Sequence, residues 1–151
     1  MVLDGSAEEA ADWSRQMAGA GLSPILIGST ELASPVFTQW AAEHGEVWVT
    51  SLAPAVDSPF WEDFSRRYRE IAGGDPGLIA PVAYDGMRTL LQALGAAGKT
   101  GRITRAGVAA ELRAVRFDGM TGPVAFDPDG HRIGPTLAVW RVSGEGRSRV
   151  R

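Results

Sequence analysis

Phe117-Asp118-Gly119-Met120-Thr121-Gly122-Pro123-Val124-Ala125-Phe126-Asp127-Pro128-Asp129-Gly130-His131-Arg132 is the stretch from which the fold is read. Asp118-Gly119 and Asp129-Gly130 are dipeptides that allow positive φ in tight turns. Val124 and Phe126 alternate with Ala125 and Asp127, a strand pattern of period two. The stretch therefore predicts two short strands and two turns. Upstream, Tyr84-Asp85-Gly86-Met87 opens a run with helical spacing, and these two landmarks at this separation make the chain readable.

Working outward, Val2-Leu3 predicts a strand ending at Asp4-Gly5. Ser6, with Glu9 three residues on, is a capping box. The helix it opens runs to about Gly19, with Ala10, Trp13, Met17 and Ala20 on one face. Ile25-Leu26-Ile27 is a short continuous apolar run, as expected of a buried parallel strand. Gly28-Ser29-Thr30-Glu31 forms the loop at its carboxyl end. A helix from about Ser34 to Glu43 and a strand over Glu46–Thr50 follow. The first fifty residues thus read β-α-β-α-β, the signature of a parallel α/β sheet.

The pattern then changes. Ser58 caps a helix with Pro59 at its first position. Phe60, Trp61, Phe64 and Tyr68 recur on it at helical spacing, with Glu62, Asp63, Arg66, Arg67 and Arg69 outside. Gly73-Gly74-Asp75-Pro76-Gly77 breaks the chain, a second helix runs from about Ile79 to Ala97, and Thr104 caps a third that reaches about Ala114. Thr136–Val142 is the last strand, and Gly144–Arg151 is expected to be a frayed tail.

Length and composition bound the functions. A chain of 151 residues with 44% apolar and 22% charged residues is the size and composition of one globular domain. No run approaches the ~18–20 apolar residues of a membrane span. The net charge of −3 gives no reason to expect nucleic acid as a partner. With no cysteine, disulfides, zinc-thiolate sites and cysteine nucleophiles are excluded. Met1-Val2-Leu3 runs at once into Asp4, Glu8 and Glu9, so the start of the sequence does not read as a signal peptide.

Searches for catalytic patterns end in structural readings. Gly98-Lys99-Thr100 imitates the end of a phosphate-binding loop, but the required earlier glycine is Ala93 and the segment follows a helix instead of a strand. It is a glycine helix stop. Asp127-Pro128-Asp129-Gly130 lacks the further acidic ligands of a calcium loop and reads as a hairpin turn. His44 and His131 stand at a helix end and in a polar turn, with no nucleophile elbow or paired-histidine zinc motif in the sequence. Trp13, Trp40 and Trp61 read as core anchors of helix faces. What remains is the carboxyl edge of the sheet, where ligands of open α/β folds bind. Two strand ends lie there: Asp4-Gly5-Ser6 and Gly28-Ser29-Thr30-Glu31. A carboxylate there could hold a ligand ammonium and a hydroxyl could orient it. The competing reading is that Ser6 only caps, and that Thr30 and Glu31 only introduce the next helix.

In this order and spacing the segments resemble the C-terminal part of the type I periplasmic binding proteins. More narrowly, they resemble the branched-chain amino acid (Leu/Ile/Val) receptor family of ABC transporters. The landmarks are Gly5 with Ser6, Gly19 to Leu22, Gly28, Gly45 to Thr50, Phe64 with Tyr68, Tyr84-Asp85-Gly86, and Phe117–Gly122 running into Phe126–Gly130. The resemblance extends to about Gly144. It implies a periplasmic-binding-protein-like α/β fold of type I, with a parallel Rossmann-like sheet and flanking helices, truncated at the N-terminus. Residues 1–52 would be the later part of lobe two and 53–135 the returning part of lobe one. Residues 136–143 would be the final crossing strand and 144–151 a flexible tail.

The resemblance also implies a site and a role. The family's ammonium-binding carboxylate falls where Glu31 stands, or Thr30 in a shifted register. Ser6 corresponds to a second ligand contact, often aromatic in the family, and Ile79 lies near a position touching the ligand's side chain. No counterpart exists here for the first half of the family's length, including the groups that grip the ligand's α-carboxylate. With Ser6 in place of an aromatic, aliphatic amides, urea and other small polar solutes join amino acids as expected ligands.

The implied function is non-catalytic: a solute-binding protein, with no cofactor, that presents a small molecule to a membrane permease. Full-length members would be extracytoplasmic, periplasmic or lipoproteins of the cell surface. A second reading is a sensory or regulatory module of the same fold, fused to or partnering a signalling protein. An enzyme on a Rossmann-like sheet would need a nucleophile–base pair or a glycine-rich phosphate loop, and the sequence presents neither. Apolar surface meant for the absent half would be exposed.

Overall fold

A computed structural model describes residues 2–3, 5–34, 37, 47–52, 59–101, 103–143 and 146–150. In chain order the elements are β1 (Val2–Leu3), α1 (Ala7–Gly19), β2 (Leu26–Gly28), a 3-10 turn (Thr30–Ala33) and β3 (Val47–Leu52). There follow α2 (Pro59–Ala72), α3 (Ala80–Lys99), α4 (Arg105–Ala114), β4 (Phe117–Gly119), β5 (Gly122–Val124), β6 (Leu137–Ser143) and β7 (Gly146–Val150). Two compact units result: Met1–Ser51 with Leu137–Arg151, and Leu52–Thr136. The expected helix over Ser34–Glu43 lies almost wholly outside the described residues, as do Asp4, Trp40, His44 and Ser58.

The first unit is built on a five-stranded sheet in the order β1-β2-β3-β6-β7. β1 and β3 both run parallel to β2, with Leu3 opposite Gly28 and Gly28 opposite Val49. Leu26, Val47, Val49, Ala138, Trp140 and Val142 are buried. Trp140 donates its indole N–H to Ser51 Oγ at 2.8 Å, which gives a large buried ring the polar partner it needs.

Three expectations fail here. Ile25 and Ile27 are exposed while Leu26 between them is buried, so β2 covers only one face instead of two. On α1 the buried side chains are Ala10, Ala11 and Ser14, and Trp13 is 60% exposed. Small residues let this helix approach its neighbours closely, and the face bearing Trp13 is turned outward. The expected frayed tail contains an ordered strand: β7 pairs antiparallel with β6 from Val139–Val150 to Ser143–Gly146.

The second unit has three helices and one hairpin. Phe64 of α2 stacks between Trp61 and Tyr68 at 5.9 and 5.8 Å, and meets the Tyr84 ring of α3 edge-on at 5.4 Å. The charged residues expected on the outside of α2 are exposed there, and Arg66 bridges Asp63 and Glu70. α3 runs two residues beyond the expected Ala97, and Gly101 at φ +67° follows its cap, so the mimic of a phosphate loop is a helix end.

The Phe117–Arg132 stretch is two hairpins. β4 and β5 pair antiparallel, with Phe117 opposite Val124 and Gly119 opposite Gly122. The left-handed residue is Gly122 at φ +83°, while Asp118-Gly119, expected as the turn, lies within β4. What Gly119 provides is room. A Cβ there would stand 2.5 Å from Asp85 Oδ2. Asp85, projecting from α3, is buried, and its carboxylate accepts the backbone N–H groups of Met120 and Thr121, each at 2.8 Å. The Thr121 hydroxyl donates to the same carboxylate at 2.6 Å. Arg132 closes the cluster by donating to Thr121 Oγ1 at 2.8 Å and to the Thr121 carbonyl at 2.9 Å. The second hairpin turns at Asp127–Gly130, where Gly130 takes φ +91° and His131 N–H donates to Asp127 Oδ1 at 2.8 Å.

Removing the carboxylate in Asp85→Ala strands two buried N–H donors, and urea denaturation should register a loss of about 3 kcal/mol or more. Gly119→Ala should lower stability in the same assay by pushing Asp85 off those donors. An unchanged midpoint for both variants would rule out this anchoring.

Candidate functional site

The expected site residues divide between the units. Ser6, Thr30 and Glu31 belong to the first and Ile79 to the second. Because β1 and β2 are adjacent and parallel, the segments that leave them, Gly5-Ser6 and Ser29–Glu31, emerge from neighbouring strand ends. This is the edge where open α/β sheets take their ligands.

Local chemistry fixes each side chain. Ser6 is the N-cap of α1, and its hydroxyl accepts the Glu9 N–H at 3.2 Å. Glu9 reaches back and its Oε2 accepts from Ser6 N–H at 2.9 Å and from Ser6 Oγ at 3.0 Å. The capping box read from sequence is thus complete, and the Ser6 hydroxyl is occupied on both its donor and its acceptor side. The carboxylates of Glu8 and Glu9 in the first turn of α1 complement the helix dipole. They also disfavour an anionic ligand group at this helix start.

The β2 loop is held from two directions. Thr30 Oγ1 donates to the Thr50 carbonyl at 3.0 Å, and Thr50 Oγ1 donates to the Gly28 carbonyl at 3.4 Å. Leu32 of the 3-10 turn folds onto Gly28, where a Cβ would collide with its side chain. Leu32 is buried in consequence and the turn is drawn tight against the strand end. Ser29 caps that turn through the Glu31 N–H at 3.4 Å. Thr30 is therefore a structural tie. The Glu31 side chain is exposed and makes no hydrogen bond or ion pair among the described residues. Of the three, Glu31 alone is uncommitted among the described residues. With Glu8 and Glu9, it gives this edge a carboxylate character suited to a cation.

Thr50 was missed in the sequence. Its signal was weak: a threonine near the end of a strand, with its partners twenty or more residues away. Ile79 precedes α3 as its N-cap residue, with φ −82° and ψ −27°, and is 54% exposed. Its carbonyl accepts the Ala83 N–H at 2.9 Å, so its role in the helix is carried by backbone.

The second unit holds cavities that none of the four residues lines. One, of about 380 Å³, is walled by Phe60, Phe64, Tyr84 and Met120 with Arg67, Arg88 and Asp118 at its polar side. Arg88 lies 4.3 Å over the Phe117 ring and donates to the Asp118 carbonyl at 3.1 Å. At the second hairpin, ligand atoms of Asp127, Asp129 and His131 lie within 4.8 Å of one another. The turn itself uses Asp127, through His131 N–H.

The family model described as periplasmic binding protein matches residues 2–147. No curated protein matches the chain. Among solved structures, the chain is similar to the leucine binding protein LivK from Thermotoga maritima, at 24% identity and a TM-score of 0.84. It is also similar to LivJ from Streptococcus pneumoniae, a substrate binding protein of a branched-chain amino acid transporter in complex with isoleucine, at 22% identity and a TM-score of 0.78. In each case 99% of this chain aligns but spans only 43% of the other. At these identities the likeness establishes the fold: an α/β architecture of periplasmic-binding-protein type.

Two outcomes follow from the capping box. Ser6→Ala should cost about 1 kcal/mol of stability through the lost cap alone. The hydrogen bonds from Ser6, the backbone one first, hold the Glu9 carboxyl below its ordinary value of 4.5. Because the folded value is the lower one, this stabilisation is complete above the ordinary value and is lost as pH falls through the lowered one. Titration of the Glu9 side-chain carbon by NMR should show that depression in the wild type and a smaller one in Ser6→Ala, which keeps the backbone donor and loses the hydroxyl.

Proposed function

The chain belongs to the periplasmic binding protein family, and from that premise we propose that it carries part of the binding cleft of a solute receptor. The receptor would serve an ABC transporter for branched-chain amino acids or similar small polar solutes. The observation that carries this reading is the exposed Glu31 carboxylate, without a hydrogen bond or ion pair among the described residues, in the segment that leaves β2 next to the strand end from which Ser6 follows. Glu31 would hold the ligand's ammonium. Thr30 would fix the loop through Thr50, and the Ser6 segment would form the neighbouring wall. The family is one of binding proteins, not enzymes, and the role needs no bond-making step.

A membrane permease is the partner this role requires, and an extracytoplasmic location accompanies it. No helix among the described residues is long and apolar enough to cross a membrane. Since the chain spans less than half the length of the solved structures it matches, affinity for a free amino acid should be weak.

Titration with leucine, isoleucine, valine and acetamide, followed by amide chemical shifts, tests the reading. Millimolar leucine should move the signals of Gly5–Ser6 and Ser29–Glu31, and Glu31→Gln should weaken the response at least tenfold. If no ligand shifts those signals, or Glu31→Gln responds like wild type, the assignment of Glu31 is wrong. Low-micromolar binding by calorimetry would contradict the expectation of an incomplete cleft.

A further inference from the structure

The cavity formed by α2, α3 and the first hairpin combines two kinds of wall. One is aromatic: Phe64 and the Tyr84 ring meet edge-on at 5.4 Å, and Phe60, one turn before Phe64, is 74% exposed. The buried Met120 adds a thioether, a group that packs well against ring edges. The other wall is charged, with Asp63, Arg67, Arg88 and Asp118. An apolar interior with a few convergent polar groups is the composition of a small-molecule site. The volume of about 380 Å³ lies near the lower end of the range of such sites, roughly 300–1,000 Å³, and suits a compound with one ring.

The charged groups differ in what they have left to offer. Asp63 is spent, since Arg66 pairs with one of its oxygens and Arg67 Nε with the other at 2.9 Å. Arg67 keeps its two Nη groups, which make no hydrogen bond among the described residues. Arg88 is held in place, 4.3 Å over the Phe117 ring with Nη1 on the Asp118 carbonyl at 3.1 Å. The Asp118 side chain is exposed, and its carboxylate has no hydrogen bond or ion pair among the described residues. The cavity therefore presents guanidinium donors and one open carboxylate together. An anion alone would face Asp118, and a cation alone would face Arg67 and Arg88, each against a like charge. A molecule bearing both charges leaves neither side unmatched.

We propose that this cavity binds a small aromatic zwitterion, with its ring among Phe60, Phe64 and Tyr84, its carboxylate on the Arg67 guanidinium and its ammonium on Asp118. The planar fork of arginine matches a carboxylate, and the Nη edge of Arg67 is the part left open for it. The site lies wholly within the second unit and shares no residue with Ser6, Thr30, Glu31 or Ile79. It stands whether or not Glu31 holds a ligand.

Four probes test it on the isotopically labelled 151-residue chain: L-phenylalanine, 3-phenylpropanoate, which lacks the amine, 2-phenylethylamine, which lacks the carboxylate, and L-leucine, which lacks the ring. L-Phenylalanine should move the amide signals of Asp118, Gly119 and Met120 at millimolar concentration. Each of the other three should bind there about tenfold more weakly, the factor set by one lost contact. Asp118→Asn keeps the carbonyl that Arg88 uses, so its melting curve should match wild type. It should weaken L-phenylalanine about tenfold and leave 3-phenylpropanoate unchanged. Arg67→Gln should weaken both and spare 2-phenylethylamine. The comparison of probes on the wild-type chain decides the matter even if a variant fails to fold. The proposal is overturned if L-phenylalanine leaves those amides unmoved, or shifts only Gly5–Ser6 and Ser29–Glu31. It is equally overturned if any of the other probes binds as tightly as L-phenylalanine, or if a folded Asp118→Asn binds it like wild type.

Discussion

The buried carboxylate of Asp85 is the constraint on which the second unit depends. A hairpin of two three-residue strands has too few cross-strand bonds to hold itself, since an isolated two-stranded hairpin is marginal in water at best. The hairpin β4–β5 gains its rigidity by offering two adjacent backbone N–H groups, at Met120 and Thr121, to one carboxylate on α3. Hydrogen bonds to a charged acceptor are about twice as strong as neutral ones. Burial makes the alternative costly, because neither the carboxylate nor the N–H donors can turn to water. Gly119 leaves the space the carboxylate occupies, Thr121 adds a third donor, and Arg132 ties the second hairpin to the first. One helical side chain thereby fixes the positions of two hairpins and their connecting turn.

The first unit solves a different problem. Its strands are joined in register by a continuous ladder, and the design problem is how to shape the loops at their carboxyl ends. Close approach does this: Gly28 lets Leu32 fold directly over the strand end, the Thr30 hydroxyl donates to the Thr50 carbonyl, and the Thr50 hydroxyl donates to the Gly28 carbonyl. The loop's own polar groups are consumed in the process. Ser6, Ser29 and Thr30 are all committed to nearby groups, and among the described residues the Glu31 side chain has no such commitment. Rigid surroundings around one uncommitted group reduce the ordering cost of an encounter.

Legibility in the sequence followed the range of the interactions. The capping box at Ser6 and Glu9, the cap at Thr104, the aromatic spacing of α2 and the turn at Asp127–Gly130 are written within a few residues, and all were readable. The two landmarks around Tyr84 and Phe117 were noticed as a pair, but their physical link, Asp85 bonding across 35 residues, could not be inferred from either alone. Asp118-Gly119 misled because its glycine answers a demand for space made by a distant carboxylate, not a demand for positive φ. Trp13 misled because a large aromatic at helical spacing says only that some face is apolar, not that this chain covers it. At the candidate site, the strand-end position of Ser6, Thr30 and Glu31 was legible, while the division into ties and free groups was not, since it depends on Thr50 and Leu32 folding back.

The two edges of the five-stranded sheet are unlike each other. β7, at one edge, carries the exposed Arg149, and a charge on a border strand disfavours a strand that approaches with its own unpaired backbone. β1, at the other edge, is the two-residue Val2–Leu3, uncharged and with Val2 exposed. The sheet therefore has a polarity of growth. The β7 side is the less receptive of the two, so a strand added to this sheet, from the same or another polypeptide, is favoured at β1.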